Sequence, residues 1–248
     1  MVKSIEEFDA QKAVDVVVED IRRWFGKFGT DKKAVIGISG GKDSTVAAAL
    51  CVKALGQANV IGVLMPNGMQ SDIGDSRRVC AHLGIRREEI NIAPSVEALK
   101  GSVHGFALSE QANINLPPRI RMSTLYLVAQ SNNGFVINTC NLSEDYVGYA
   151  TKYGDAAGDY AVLKEYLTDE VIAMGRVLNM PEDLLVKAPS DGLCGKTDED
   201  NLGFPYSVLN KYIRTGEIED EATKNRIDAM HEANQHKERV IDRAPRAD

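Results

Sequence analysis

The stretch Ser39-Gly40-Gly41-Lys42-Asp43-Ser44-Thr45 constrains this chain more than any other. It follows the apolar run Ala34-Val35-Ile36-Gly37-Ile38 and opens into Val46-Ala47-Ala48-Ala49-Leu50, an order that predicts strand, tight glycine turn and helix. Small residues at the turn let the backbone close around an anion. The new helix directs its open N–H groups and positive dipole end at the same point. A Walker A loop has four residues between its glycines and a Ser or Thr directly after its Lys. Here the spacing from Gly37 is one residue short and Asp43 follows Lys42, so this is a different phosphate loop. Its carboxylate stands where a metal bound to a polyphosphate needs a ligand.

Short apolar runs alternate with helical patterns along the rest of the chain. Residues 60–65 and 135–139 read as buried strands, and residues 89–92 as a shorter one. Residues 5–28 carry apolar side chains at helical spacing. Asp72 is placed to cap a helix that Gly84 stops, Ser95 to cap one from Val96, and Pro117-Pro118 to open one reaching about Asn132. Residues 168–178, 206–213 and 219–237 also read as helices, whereas 146–160 and 191–203 are Gly-rich or polar and read as mobile loops.

This alternation predicts an α/β fold: a doubly wound, parallel, five-stranded, Rossmann-like sheet. No repeat or linker divides the chain, so residues 1–248 are expected to form one domain with an N-terminal helix and a C-terminal helical extension. In the common strand order 3-2-1-4-5, the ligand crevice opens where the order reverses, between the first and fourth strands. The glycine loop leaves the first and residues 139–144 leave the fourth. Asp43 and Glu144 are thus expected to face each other across one cleft, as a metal site.

A net charge of −7, with 36 acidic and 29 basic residues, weighs against a nucleic-acid partner, which would call for a basic face. The four cysteines form no CxxC pair, so neither a zinc knuckle nor a redox dithiol is suggested. No apolar run is long enough to span a bilayer and no signal pattern opens the chain. A cytoplasmic setting without membrane attachment is expected.

The Ser-Gly-Gly-Lys-Asp-Ser order resembles the loop of the N-type ATP pyrophosphatases, and within them the chain looks like the ammonia-dependent NAD synthetases. The match extends over most of the chain. It includes Leu64-Met65-Pro66-Asn67-Gly68, Pro118-Arg119-Ile120-Arg121-Met122, Thr139 with Glu144, Thr151-Lys152-Tyr153-Gly154-Asp155, Asp159, Lys187-Ala188-Pro189-Ser190-Asp191 and His236-Lys237. The resemblance implies the adenine nucleotide alpha hydrolase-like fold and an ATP- and magnesium-dependent amidation of deamido-NAD by ammonia, through an adenylate. It implies that Gly37, Ile38, Ser39, Gly40, Gly41, Lys42, Asp43, Ser44, Thr139 and Ser190 contact ATP. Asp43 and Glu144 would hold magnesium, and Lys42 and Asp43 would act in catalysis. Arg119, Lys152, Asp159, His236 and Lys237 would hold deamido-NAD, and a homodimer is expected through the N-terminal helix and the helix of residues 118–130. Thr168 falls on an ATP-binding position where family members often carry Lys; it contacts ATP or caps its own helix.

Two other readings share these residues. Another ATP pyrophosphatase would activate a tRNA base or xanthylate, although the tRNA enzymes call for a basic surface and thiolases commonly for cysteine pairs. A nucleotide sensor on the same fold would bind ATP or AMP without turnover. Pyrophosphate release that depends on deamido-NAD separates the three.

Overall fold

The computed structural model describes residues 8–187 and 198–239. In chain order the elements are α1 (Ala10–Phe28), β1 (Lys33–Gly37), α2 (Lys42–Leu55), β2 (Val60–Leu64), α3 (Ile73–Leu83), β3 (Arg86–Glu89), α4 (Ala93–Gly101), α5 (Glu110–Ser131), β4 (Gly134–Asn138), α6 (Leu142–Val147), β5 (Tyr160–Ala161), α7 (Thr168–Val177), α8 (Glu182–Leu185), α9 (Asp198–Leu202), α10 (Tyr206–Thr215) and α11 (Glu221–Glu238). The strands are all parallel, in the order β3-β2-β1-β4-β5. This is the expected α/β sheet, and it puts the reversal of strand order between β1 and β4.

Alternate side chains of the inner strands supply two cores. Val35, Ile61 and Val136 join Met122, Leu125 and Val128 of α5 on one face. Ile36, Leu64 and Ile137 join Ile21 of α1, Leu50 of α2 and Met174 of α7 on the other. A third cluster, with Val147, Phe204, Leu209 and Ile227, ties α6 to α10 and α11.

Several boundaries differ from expectation. Helix α5 starts at Glu110, where Ser109 Oγ accepts the Ala112 N–H at 3.2 Å, and not at the prolines. Pro117 and Pro118 lie inside it, so two backbone donors are missing there. Pro117 is buried, and Leu116 and Ile120 pack on the Val35 face, which offsets that loss. Strand β3 is Arg86–Glu89, a run of charged residues on a half-solvated sheet edge where no apolar pattern is required. The chain stays hydrogen-bonded beyond it, with Ile90 N–H on Leu64 O and Ile92 N–H on Pro66 O. Helix α4 then begins at Ala93 with proline in its first turn, ahead of the anticipated Ser95 cap. Asp72 precedes α3 without capping it, because its carboxylate accepts Gln70 Nε2 at 2.8 Å and Lys187 Nζ at 3.0 Å instead. The fifth strand is the pair Tyr160–Ala161, at the end of a stretch that reads as loop, and α9 occupies part of the second such stretch.

Candidate functional site

The glycine loop closes on itself before α2 begins. Ile38 continues the β-ladder through its N–H to Val63 O at 2.9 Å. Ser39 N–H then donates to Ser44 Oγ at 3.2 Å, the two hydroxyls lie 3.0 Å apart, and Gly41 N–H donates to Ser39 Oγ at 3.2 Å. Gly40 has φ +84°, and a Cβ there would stand 2.9 Å from both Asp75 Cβ and Ser76 N of α3, so only glycine fits without displacement. Gly41 caps α2 by position and, being glycine, puts no side chain of its own on the first-turn N–H groups. Such groups are ready donors to phosphate oxygens.

Lys42 and Asp43 open that helix. Lys42 is 6% exposed, with Nζ 3.0 Å from Asp43 Oδ2. The other carboxylate oxygen, Asp43 Oδ1, accepts Asn141 Nδ2 at 2.9 Å. Asn141 leaves β4 and caps α6, taking the Glu144 N–H on its own Oδ1 at 3.1 Å. One amide side chain therefore joins Asp43 to the first turn of α6, where Glu144 sits half-buried. Thr139, also half-buried, lies between β4 and this cap. Among the described residues no group of three or more His, Cys, Asp or Glu is arranged to hold a metal. Two carboxylates beside a phosphate loop nonetheless suit magnesium, which takes hard oxygen ligands and completes its shell with phosphate oxygens and water.

Four of the five residues expected to hold the second substrate are linked, or lie next to one another. Arg119 Nε donates to Lys152 O at 3.2 Å, Lys152 Nζ to His236 O, and Lys237 Nζ to Gly148 O at 2.7 Å. Burial draws the Lys237 ammonium below the usual lysine range, partly opposed by Asp155. Asp159 is built into the sheet instead: Oδ2 accepts Val136 N–H at 2.7 Å and Oδ1 accepts Tyr126 Oη at 3.3 Å. Arg121 is half-buried at the end of β2, its Nε donating to Met65 O at 3.1 Å; burial lowers its pKa and Asp155 opposes the shift.

Thr168 is the first residue of α7 and does not cap it. The cap N–H, from Leu167, goes to Glu170 Oε2 at 2.8 Å. Thr168 N–H takes Ser143 Oγ at 3.1 Å, while its buried hydroxyl has no partner among the described residues. Ser190 lies outside the described residues.

Residues 13–245 match the family model described as NAD synthase. The chain belongs to the NAD synthase family. It is 37% identical over 235 residues to the NH3-dependent NAD+ synthetase of Pyrococcus furiosus, covering 93% of this chain and 89% of that one. It is 43% identical over 180 residues to the corresponding synthetase of Thermococcus kodakarensis, covering 72% and 70%. Among solved structures, the NMN synthetase of Francisella tularensis matches with a TM-score of 0.89 at 32% identity, over 96% of this chain and 99% of that one. The NH3-dependent NAD synthetase of Campylobacter jejuni matches with a TM-score of 0.79 at 27% identity, over 96% and 100%.

Two features of this NAD synthase chain escape a reading of its sequence. Asn141 shows only a capping pattern, Asn with Glu three residues on; its reach to Asp43 needs the fold. The other is the docking of α11 on α6. His231 Nδ1 meets Tyr146 O at 2.8 Å, Asn234 Nδ2 donates to Val147 O at 3.2 Å, and Lys237 Nζ reaches Gly148 O. Side chains three residues apart on α11 thus take three consecutive carbonyls at the end of α6. Gly148, at φ +66°, lets α11 come so close that a Cβ there would stand 2.1 Å from Asn234 Cβ.

Proposed function

We propose that this chain amidates the nicotinate carboxylate of deamido-NAD with ammonia, using ATP and magnesium. The observation that carries the reading is the Asp43–Asn141–Glu144 link at the mouth of the glycine loop. In the first step a carboxylate oxygen attacks the α-phosphate, forming an acyl adenylate as the bond to the β-phosphate breaks and pyrophosphate leaves. Ammonia then attacks the acyl carbon, loses a proton, and AMP departs with the bonding pair.

The loop N–H groups from Ser39 to Ser44 and the Lys42 ammonium would hold the charge that grows on pyrophosphate, with Gly37 and Ile38 shaping the floor. Asp43 and Glu144 would hold magnesium, whose charge neutralises the polyphosphate when bound. Thr139, Thr168 and Ser190 would border ATP. Arg119, Lys152, His236 and Lys237 form a basic end suited to the pyrophosphate of deamido-NAD, and Asp159 would meet the same substrate. Lys42 and Asp43 are the residues assigned to catalysis.

A turnover assay with deamido-NAD, ATP, magnesium and ammonium, scoring AMP and NAD together, tests the reading. Pyrophosphate release indifferent to deamido-NAD would refute it, and NAD formation from glutamine with ammonia excluded would refute free ammonia as donor. The match to an NMN synthetase favours a second reading, in which nicotinate mononucleotide is the acceptor. Competing the two acceptors in one assay ranks them by kcat/KM.

We also take the chain as one domain acting as a homodimer in the cytoplasm, with no nucleic-acid or membrane partner. Exposed Val16 and Phe28 on α1 and Ile114 and Leu127 on α5 support the dimer. No described helix is long and apolar enough to cross a membrane.

A further inference from the structure

We infer that Asn141 is a positioning residue for the phosphate-loop carboxylate, and that it holds Asp43 Oδ1 so that Oδ2 is the oxygen offered to a cation. The inference rests on the reading above for its chemistry, but not for its geometry. Asn141 has no solvent exposure, and each end of its amide has one assigned job. Nδ2 donates to Asp43 Oδ1 at 2.9 Å, and Oδ1 accepts the Glu144 N–H at 3.1 Å. Its orientation is therefore set: a flipped amide would point an oxygen at a carboxylate and an N–H₂ at an N–H.

The consequence appears when Lys42 is considered. In this structure its ammonium lies 3.0 Å from Asp43 Oδ2, so the carboxylate has a donor on each oxygen. A polyphosphate in the glycine loop competes for that ammonium, since Lys42 is the cation of the loop. Once Lys42 turns to the phosphate, Oδ2 loses a donor while Oδ1 keeps Asn141. The carboxylate then cannot spin about its Cβ–Cγ bond, and the vacated oxygen stays on the side that Lys42 occupied. The same amide caps α6, so the two acidic residues are held in one frame, although they are 101 residues apart in the chain.

The two jobs can be separated by substitution. Ser is as good an N-cap as Asn, yet it is too short to reach Asp43. Asn141→Ser therefore keeps the cap and removes the donor. With no acceptor present, calorimetry of ATP binding is run in magnesium and again in EDTA, for the parent and the variant. The parent is expected to bind ATP more tightly with magnesium, and the variant to lose about tenfold of that enhancement while its melting temperature stays within a few degrees. An enhancement within twofold of the parent overturns the inference. Should Asn141→Ser fail to fold, Asn141→Thr also keeps a capping hydroxyl and removes the donor. In the same calorimetry it is expected to lose about tenfold of the magnesium enhancement, and an enhancement within twofold of the parent overturns the inference. Because the calorimetry uses only ATP and magnesium, an incorrect choice of acceptor leaves its result readable, whereas that error shows at once as missing turnover in the parent.

Discussion

Asp43 shows how one side chain can be recognised from sequence while its setting is not. The order Gly-Gly-Lys-Asp after an apolar strand marks it as unusual, and the strand arithmetic brings it toward Glu144. The amide between them is not legible, because Asn141 is 98 positions away and carries only a capping pattern. If both acids serve a metal, Asp43→Asn and Glu144→Gln should each lower kcat by about 100-fold or more. Circular dichroism should remain that of the parent, and near-parent turnover in either variant removes the assignment. Lys237 has its own test. Its folded pKa lies below the ordinary lysine value, so its positive charge is lost as pH rises through a range lower than about 10.4. The kcat/KM for the acceptor should fall on that alkaline limb, and the limb should vanish in Lys237→Arg, which stays charged throughout.

At the scale of elements, legibility follows burial. β1, β2 and β4 are inner strands packed on both faces, so their apolar runs announce them. β3 lies at an edge and can be Arg-Arg-Glu-Glu, and β5 is too short for any period to emerge. The prolines of α5 suggest a helix start because proline favours a first turn; the serine cap farther upstream and the packing of Pro117 decide otherwise. The polar part of the α6–α11 junction is invisible in sequence because its side chains meet backbone carbonyls. Gly148→Ala should strain it doubly, through a left-handed backbone position and the approach to Asn234. A loss of about 2 kcal/mol or more is expected in urea denaturation, with faster amide exchange in residues 144–149. Unchanged stability would show that α11 is free to move aside.

At the scale of the whole molecule, the sheet has a covered interior and an incompletely covered outside. Leu99 on α4, Phe106 in the loop before α5, and Ile114 and Leu127 on α5 are all exposed, Leu127 by 66% and Phe106 by 72%. If α5 forms the self-association surface, Leu127→Glu should move the mass measured by light scattering at micromolar concentration from two chains to one. A parent that already runs as one chain contradicts the dimer outright. The composition, net acidic with ordinary apolar content, says nothing of this surface; only the helix it falls on does.

The hold of α11 on α6 also bears on how the protein comes to life on the ribosome. His231, Asn234 and Lys237 meet carbonyls that precede them by 85, 87 and 89 residues. A nascent chain that has already exposed its glycine loop and Glu144 still lacks the side chains that fasten the end of that short helix. The end of α6 can be fastened only after synthesis has passed Lys237, so this junction is completed well after the glycine loop and Glu144 have been made.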